Sequence, residues 1–97
     1  MDYTKDPIYE WDAAKNAACV ANRNLDFVTA IAAFDDPYRI IDSDNRHDYR
    51  EQRWRLLGTI KGRLHCVIYT LRKDKVRIIS ARKANHREVK QYEHSRI

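Results

Sequence analysis

Apolar residues in the first third of the chain recur at helical spacing. Asp12 can cap a helix through the alanine-rich run 13–20, and Asn22-Arg23-Asn24 ends that helix. Asp26 can cap a second helix. Three of its apolar residues are spaced to share one face: Phe27, Ile31 and Phe34. The pattern therefore predicts two helices before any strand.

Alternation with period two then replaces helical spacing. It predicts strands at 38–41, 53–57, 64–71 and 76–81. A loop is expected at 42–48, with tight turns at Lys61-Gly62 and at 72–75, so the strands form an antiparallel meander. Asn85 and Glu88 have the spacing of a capping box that opens a last short helix.

This order of elements predicts an α+β fold in one domain, residues 1–97. Two N-terminal helices are expected to pack on one face of the antiparallel meander, and a C-terminal helix follows it. Trp11 and Trp54 are expected in the core. If the polar faces of neighbouring strands coincide, the other face of the sheet presents guanidinium and aromatic groups: Arg53, Arg55, His65, Tyr69 and Arg77. Such a face suits RNA, although an ordinary solvated sheet face has the same pattern.

Charge is divided unevenly between the two halves of the chain. The net charge of +5 combines −5 in residues 1–45 with +10 in residues 46–97. The basic half would attract a polyanion such as nucleic acid, but a solvated basic surface gives the same excess.

Other features narrow the class of protein. Cys19 and Cys66 lie in apolar runs without metal-ligand spacing, which favours buried thiols in a cytoplasmic protein. The sequence contains no long apolar run, so neither a signal peptide nor a membrane span is expected. Neither a Gly-rich phosphate loop nor zinc-ligand spacing is found, so no metal or cofactor is expected.

Four short segments, taken together, resemble the BrnT family of bacterial type II toxins. They are Tyr9-Glu10-Trp11-Asp12 with Lys15; Phe34-Asp35-Asp36-Pro37; His47 with Glu51 and Arg53 ahead of Gly58; and the run 77–84 followed by Glu88 and Tyr92. Each segment alone is weak evidence for the family, but all four in this order and spacing are specific to it. The resemblance covers the chain from about Ile8 to Glu93.

The resemblance implies a RelE-like ribonuclease fold, RNA cleavage without a metal, and a BrnA-like antitoxin that binds DNA. Promoter DNA would then be contacted only through the antitoxin. One departure is visible, because family members usually read Lys-His-Gly where this chain has Asn22-Arg23-Asn24. If that glycine only supplies a left-handed turn, Asn24 can replace it, whereas a functional histidine there would be missing.

RNA cleavage without a metal needs a base near the 2′-hydroxyl, cations around the phosphate and an acid for the 5′-oxygen. Five residues are our catalytic candidates, with His47 and Glu88 as acid or base and the arginines as phosphate clamps: His47, Arg53, Arg77, Arg82 and Glu88. Six more are candidates for binding RNA: Lys15, Arg55, His65, Tyr69, Lys83 and Tyr92. The structural alternatives are a solvated loop histidine, a capping carboxylate for Glu88, surface ion pairs for the arginines, and helix-to-sheet packing for Tyr92.

Two other classes of function stay open at this point. A non-catalytic module could bind nucleic acid with the same basic sheet. A decayed toxin could act only as a corepressor with its antitoxin, which the departure at Asn22-Arg23-Asn24 keeps in view.

Overall fold

The computed structural model describes residues 8–46, 48 and 50–96, and these residues form one sheet with helices on both faces. In chain order the elements are β1 (Tyr9–Trp11), α1 (Ala13–Arg23), α2 (Phe27–Ala30), a 3₁₀ helix (Ile31–Asp35), β2 (Ile40–Ser43), β3 (Arg53–Ile60), β4 (Arg63–Arg72), β5 (Lys75–Lys83) and α3 (His86–Ser95). The predicted α+β class is confirmed. None of the helices in this described part is long and apolar enough to cross a membrane.

The strand order in the described residues is β1-β5-β4-β3-β2. Strands β2 to β5 form the predicted antiparallel meander. Its β3–β4 turn has positive φ at both Lys61 and Gly62, as a two-residue hairpin turn requires. The expectation of a purely antiparallel sheet is wrong, because β1 precedes the helices and pairs in parallel with β5, with Tyr9 opposite Val76. A strand of three residues is too short to show a period in sequence.

The N-terminal helices begin and end at the predicted signals. Asp12 and Asp26 accept hydrogen bonds from the first turns of α1 and α2, and Asn24 ends α1 in the left-handed conformation with φ 53°. Asn24 therefore supplies the turn for which glycine is the usual residue. The second helix differs from the prediction, because after Ala30 it continues as a 3₁₀ helix. Strand β2 is also displaced: it begins at Ile40 rather than residue 38 and runs into the expected loop.

Helices cover both faces of the sheet, which corrects the expectation of one open face. On the first face, α1, α2 and the 3₁₀ helix pack on Leu56, Val67 and Ile78, with Trp11 and Trp54 at the margin of this core. On the second face, Tyr92 and Val89 of α3 pack in a separate cluster: Leu57, Leu64, Cys66 and Ile68. Cys19 and Cys66 are buried free thiols, as predicted, and burial raises the pKa of Cys66 to about 11. The central strand β4 consequently has two buried faces.

The buried carboxylate of Asp36 joins three parts of the fold. It accepts hydrogen bonds from the Tyr92 hydroxyl of α3, from the backbone nitrogen and hydroxyl of Thr59 on β3 at 2.9 and 3.1 Å, and from the Tyr38 nitrogen at 2.8 Å. Burial, together with the hydrogen bond to Asp36, raises the pKa of Tyr92 to about 12. Because Thr59 lies on β3 and Tyr92 lies on α3, their shared acceptor Asp36 fixes α3 against the meander.

Gly58 lies where the 3₁₀ helix meets the sheet. A β-carbon at this position would stand 2.4 Å from the carbonyl oxygen of Ala33 and 3.0 Å from a methyl group of Leu56. Backbone is therefore in direct contact with backbone, and only glycine fits without a shift.

We expect Gly58→Ala to lower the free energy of unfolding by about 1–3 kcal/mol, since a methyl group is forced into a filled contact. Urea unfolding followed by circular dichroism measures the change. Gly62→Asn is the matched control, because Gly62 has φ 80° with open space around it and asparagine tolerates that conformation. A Gly58→Ala protein as stable as the wild type would show that the 3₁₀ helix yields freely.

Candidate functional site

The carboxylate of Glu88, in the first turn of α3, is the centre of an arginine cluster. Its side chain accepts two hydrogen bonds from Arg82 of β5, at 2.7 and 3.0 Å, and one from Arg55 of β3 at 3.3 Å. It also accepts from the Asn85 backbone nitrogen at 2.9 Å, while Asn85 accepts from the Glu88 nitrogen, which completes the predicted capping box. Only 4% of Glu88 is exposed.

These contacts set the charge state of Glu88. Burial by itself would raise the pKa, but the hydrogen bonds from Arg82 and Asn85 and the charges of Arg82 and Arg55 outweigh it and lower the pKa to about 2. Glu88 is therefore ionised at neutral pH, and its oxygens are occupied by donors. The geometry favours a role in orienting two guanidinium groups, whereas its role in proton transfer stays a prediction.

An open cleft of about 380 Å³ lies beside this cluster. Arg55 crosses it towards Asp42 of β2, with hydrogen bonds of 2.9 and 2.7 Å. Arg46 lines the same cleft and pairs with the buried Asp44 at 2.8 Å. Arg87, exposed in the first turn of α3, adds a further cation. We call this space, with Arg46, Arg55, Arg82, Arg87 and Glu88, the arginine cleft.

The sequence pattern did not select Arg46 and Arg87. Arg46 lies in a loop, where no periodicity marks a face, and Arg87 follows Asn85 as an ordinary polar residue of a capping box. Only the excess of basic residues after residue 45 pointed to them.

The predicted sharing of a face by Arg53, Arg55 and Arg77 is confirmed. Thr70 of β4 pairs with Arg53 of β3 and with Arg77 of β5, so these side chains share one face of the sheet. Arg55 pairs with Ile68, two residues from Thr70 on β4, and therefore lies on the same face. Both outer arginines are held by carboxylates: Arg53 by Glu51 at 3.3 Å and Arg77 by Glu10 at 3.1 Å. Their proposed contacts with phosphate stay predictions.

The prediction that His65 and Tyr69 lie on the same face as these arginines is wrong. Register puts Gly58 opposite His65 and Trp54 opposite Tyr69, so both side chains lie on the face covered by the N-terminal helices. Tyr69 is buried with its ring edge-to-face on Phe34 at 5.2 Å. The alternation of residues correctly predicted which side chains of β4 share a face. It could not predict how β4 pairs with its neighbours, and so could not predict which face of the sheet each set occupies.

The remaining candidates are spread over the molecule. Tyr92 is buried and bonded to Asp36, which agrees with helix-to-sheet packing. Lys15 is exposed on α1 and Lys83 is exposed at the end of β5. His47 lies outside the described residues. Among residues 8–46, 48 and 50–96, no group of three or more His, Cys, Asp or Glu side chains is placed to hold a metal ion.

A second cleft, of about 300 Å³, lies where β4 begins, β5 ends and α1 turns into α2. Its lining includes Arg23, Asn24, His65, Arg82 and Lys83, and we call it the histidine cleft. Arg82 borders both clefts. The segment at which the chain departs from Lys-His-Gly thus lies beside a basic cleft.

The chain matches a protein-family model over residues 11–88, and the family is described as "Ribonuclease toxin, BrnT, of type II toxin-antitoxin system". The matched range runs from Trp11 to Glu88 and so includes most of the chain and both clefts. The protein therefore belongs to the ribonuclease toxins of type II toxin–antitoxin systems. Within that class it is a member of the BrnT family, which confirms the resemblance and implies an antitoxin partner. No curated protein sequence matches the chain.

Lowering the pH should reduce the free energy of unfolding, because Glu88 becomes protonated. A group with a lowered folded-state pKa contributes stability that is present above its unfolded value, here 4.5, and is lost as pH falls towards about 2. The difference corresponds to about 3 kcal/mol of unfolding free energy. We expect Glu88→Gln to remove this contribution, so that its unfolding free energy changes less between pH 4.5 and pH 2 than that of the wild type.

Urea unfolding at a series of pH values measures this dependence. Glu93→Gln is the control, because Glu93 is exposed on the same helix and should leave the wild-type dependence intact. Equal pH dependence in the wild type and Glu88→Gln would contradict the low pKa of Glu88.

Proposed function

We propose that this protein is a metal-independent endoribonuclease toxin of the cytoplasm, which inhibits translation by cutting RNA and is neutralised by a BrnA-like antitoxin. The observation that supports it best is the arginine cleft, in which a buried anion holds Arg82 and Arg55 in fixed positions. Pre-oriented guanidinium groups stabilise the crowded, charged phosphate of the transition state without having to reorganise.

Arg82 has donors left for a phosphate. A guanidinium group has five N–H groups. In the described residues Arg82 uses three of them, two on Glu88 and one on the Lys83 carbonyl oxygen. The remaining N–H groups can meet phosphate oxygens while Glu88 keeps the group in place. Arg82 is thus the favoured contact for the phosphate. Arg55, whose donors are mostly engaged by Asp42, Glu88 and Gln91, adds positive charge beside it. More distant contacts for the RNA backbone are Arg53, Arg77, Lys15 and Lys83.

This arrangement of cations supports cleavage without a metal. The 2′-hydroxyl attacks the neighbouring phosphorus, the bond to the 5′-oxygen breaks, and the product is a 2′,3′-cyclic phosphate with a 5′-hydroxyl. Cations around the phosphorane supply charge stabilisation, and a side chain must take the 2′-hydroxyl proton. A non-catalytic nucleic-acid-binding module, or a decayed toxin that acts as a corepressor with its antitoxin, would share the arginine cleft but produce no such ends.

We expect the purified protein to cut RNA in EDTA and to leave 2′,3′-cyclic phosphate ends. Arg87→Ala and Arg46→Ala should each slow cleavage by about tenfold, equivalent to about 1.4 kcal/mol, because each removes a cation from the cleft without touching Glu88. Lys75→Ala is the matched control: Lys75 is an exposed cation at the start of β5, whereas Arg82 lies near its end. Gel analysis of cleavage rates and end-group analysis give the readout.

The same experiments distinguish the proposed function from its rivals. RNA binding without cutting, by a folded wild-type protein, would favour the non-catalytic module. Cleavage that is lost in EDTA and restored by magnesium would overturn the metal-free mechanism. A Lys75→Ala protein as impaired as the cleft variants would show that only overall charge matters.

The antitoxin should cover the arginine cleft. An acidic segment complementary to Arg46 and Arg87 would speed association and fix its register, and it would exclude the substrate directly. Contact with promoter DNA would then come through the antitoxin.

We expect a preformed toxin–antitoxin complex not to bind a fluorescent 2′-deoxy-substituted RNA that the free toxin binds. Arg46→Glu with Arg87→Glu should slow association with the antitoxin, and Lys75→Glu should slow it much less, because it is not in the contact. Fluorescence anisotropy and stopped-flow mixing measure the two effects. A ternary complex of toxin, antitoxin and RNA would show that the antitoxin binds elsewhere.

A further inference from the structure

The histidine cleft contains an imidazole, a group that none of the described residues brings to the arginine cleft. His65 is 6% exposed and lies near the start of β4, opposite Gly58 of β3 and Lys83 of β5. It lines the cleft together with Arg23, Arg82 and Lys83. The chemistry of this buried histidine depends on which of its ring nitrogens is available.

Its hydrogen bond fixes the tautomer. The Nδ1 atom lies 2.8 Å from the carbonyl oxygen of Arg63, and because a carbonyl can only accept, Nδ1 carries the proton. In the neutral ring the lone pair is therefore on Nε2. No described residue bonds to Nε2, yet no fully buried side-chain nitrogen or oxygen of the described residues lacks a partner. Nε2 must then reach solvent, and the space beside His65 is this cleft.

The surroundings keep the ring neutral. Burial lowers the pKa of His65 below 6.5, and the positive charges of Arg63 on its own strand and Lys83 on β5 lower it further, while the hydrogen bond to the Arg63 carbonyl opposes them. The other charged groups at the cleft, Arg23 from α1 and Arg82 from β5, are also cations. An imidazole that is unprotonated at pH 7, with an unbonded nitrogen that reaches solvent and a basic cleft beside it, is suited to accept a proton.

We propose that His65 is the general base of RNA cleavage, an inference that rests on the ribonuclease function proposed above. Nε2 takes the proton of the 2′-hydroxyl as the 2′-oxygen bonds to phosphorus. The bond from phosphorus to the 5′-oxygen breaks, its electron pair stays on that oxygen, and a solvent water supplies the proton there. His65 then returns its proton to solvent. Arg82, which borders both clefts, holds the phosphate between them.

This assignment differs from the roles that the sequence suggested. His65 was expected only to contact RNA, and Glu88 was a candidate for acid or base. The carboxylate of Glu88 is engaged by Arg82 and Arg55, whereas Nε2 of His65 has no such partner in the described residues.

The test is the pH dependence of kcat/KM for RNA cleavage in EDTA, for the wild type, His65→Gln and His94→Gln. The wild-type rate should rise with pH through one ionisation below 6.5 and then level off. His65→Gln should lose at least about 100-fold in rate and lose that ionisation. His94→Gln should keep both, because His94 is exposed near the end of α3.

Folding of each variant is checked by circular dichroism and by antitoxin binding. If His65→Gln does not fold, NMR titration of the His65 ring in the wild type replaces it, and its pKa should equal that of the rate profile. A folded His65→Gln that cuts at the wild-type rate, or a kinetic pKa that differs from the ring's, overturns the proposal and leaves the ribonuclease function intact. A wild type that cuts no RNA overturns both.

Discussion

The ion pair between Glu88 and Arg82 is the interaction on which the arrangement of the site depends. A buried carboxylate is costly unless charged donors surround it, and here two arginines and a backbone nitrogen do so. The same contacts close the first turn of α3 and fasten that helix to β3 and β5. Stability and the orientation of the cations are therefore one property of this protein, and any change to Glu88 or Arg82 alters both.

Contacts between the four sequence segments explain why they are informative in combination although each alone is weak. Glu10 of the first segment binds Arg77 of the fourth, and Asp36 of the second binds Tyr92 of the fourth. Gly58, of the third segment, makes room for the backbone of Ala33 beside the second segment. Each motif contains one half of a contact. Finding all four in order therefore indicates the tertiary structure, which no single motif can indicate.

Local signals were sufficient for much of the fold. Helix caps at Asp12, Asp26 and Asn85 and the hairpin turn at Lys61 could be predicted because side chain and backbone interact within a few residues. Properties that depend on distant partners could not. Strand β1 exists because β5 offers it an edge, and the face of His65 depends on the register between β3 and β4. Arg55 and Arg82 were recognised by residue type, but Arg46 and Arg87 were not, and the ion pairs that orient Arg55 and Arg82 could not be predicted.

Burial of both faces of β4 limits where chemistry can occur. The middle of the sheet is covered by α1, α2 and the 3₁₀ helix on one side and by α3 on the other, so reactive groups reach solvent only where that cover ends. Both clefts lie at such places: one beside the first turn of α3, the other beside the turn that Asn24 makes after α1. Arg82 lies near the end of β5, next to Lys83, and borders both. A phosphate bound there would meet cations oriented from one face of the sheet and an imidazole held on the other. In the proposed mechanism, the two sides of the sheet would thus contribute different parts of one reaction.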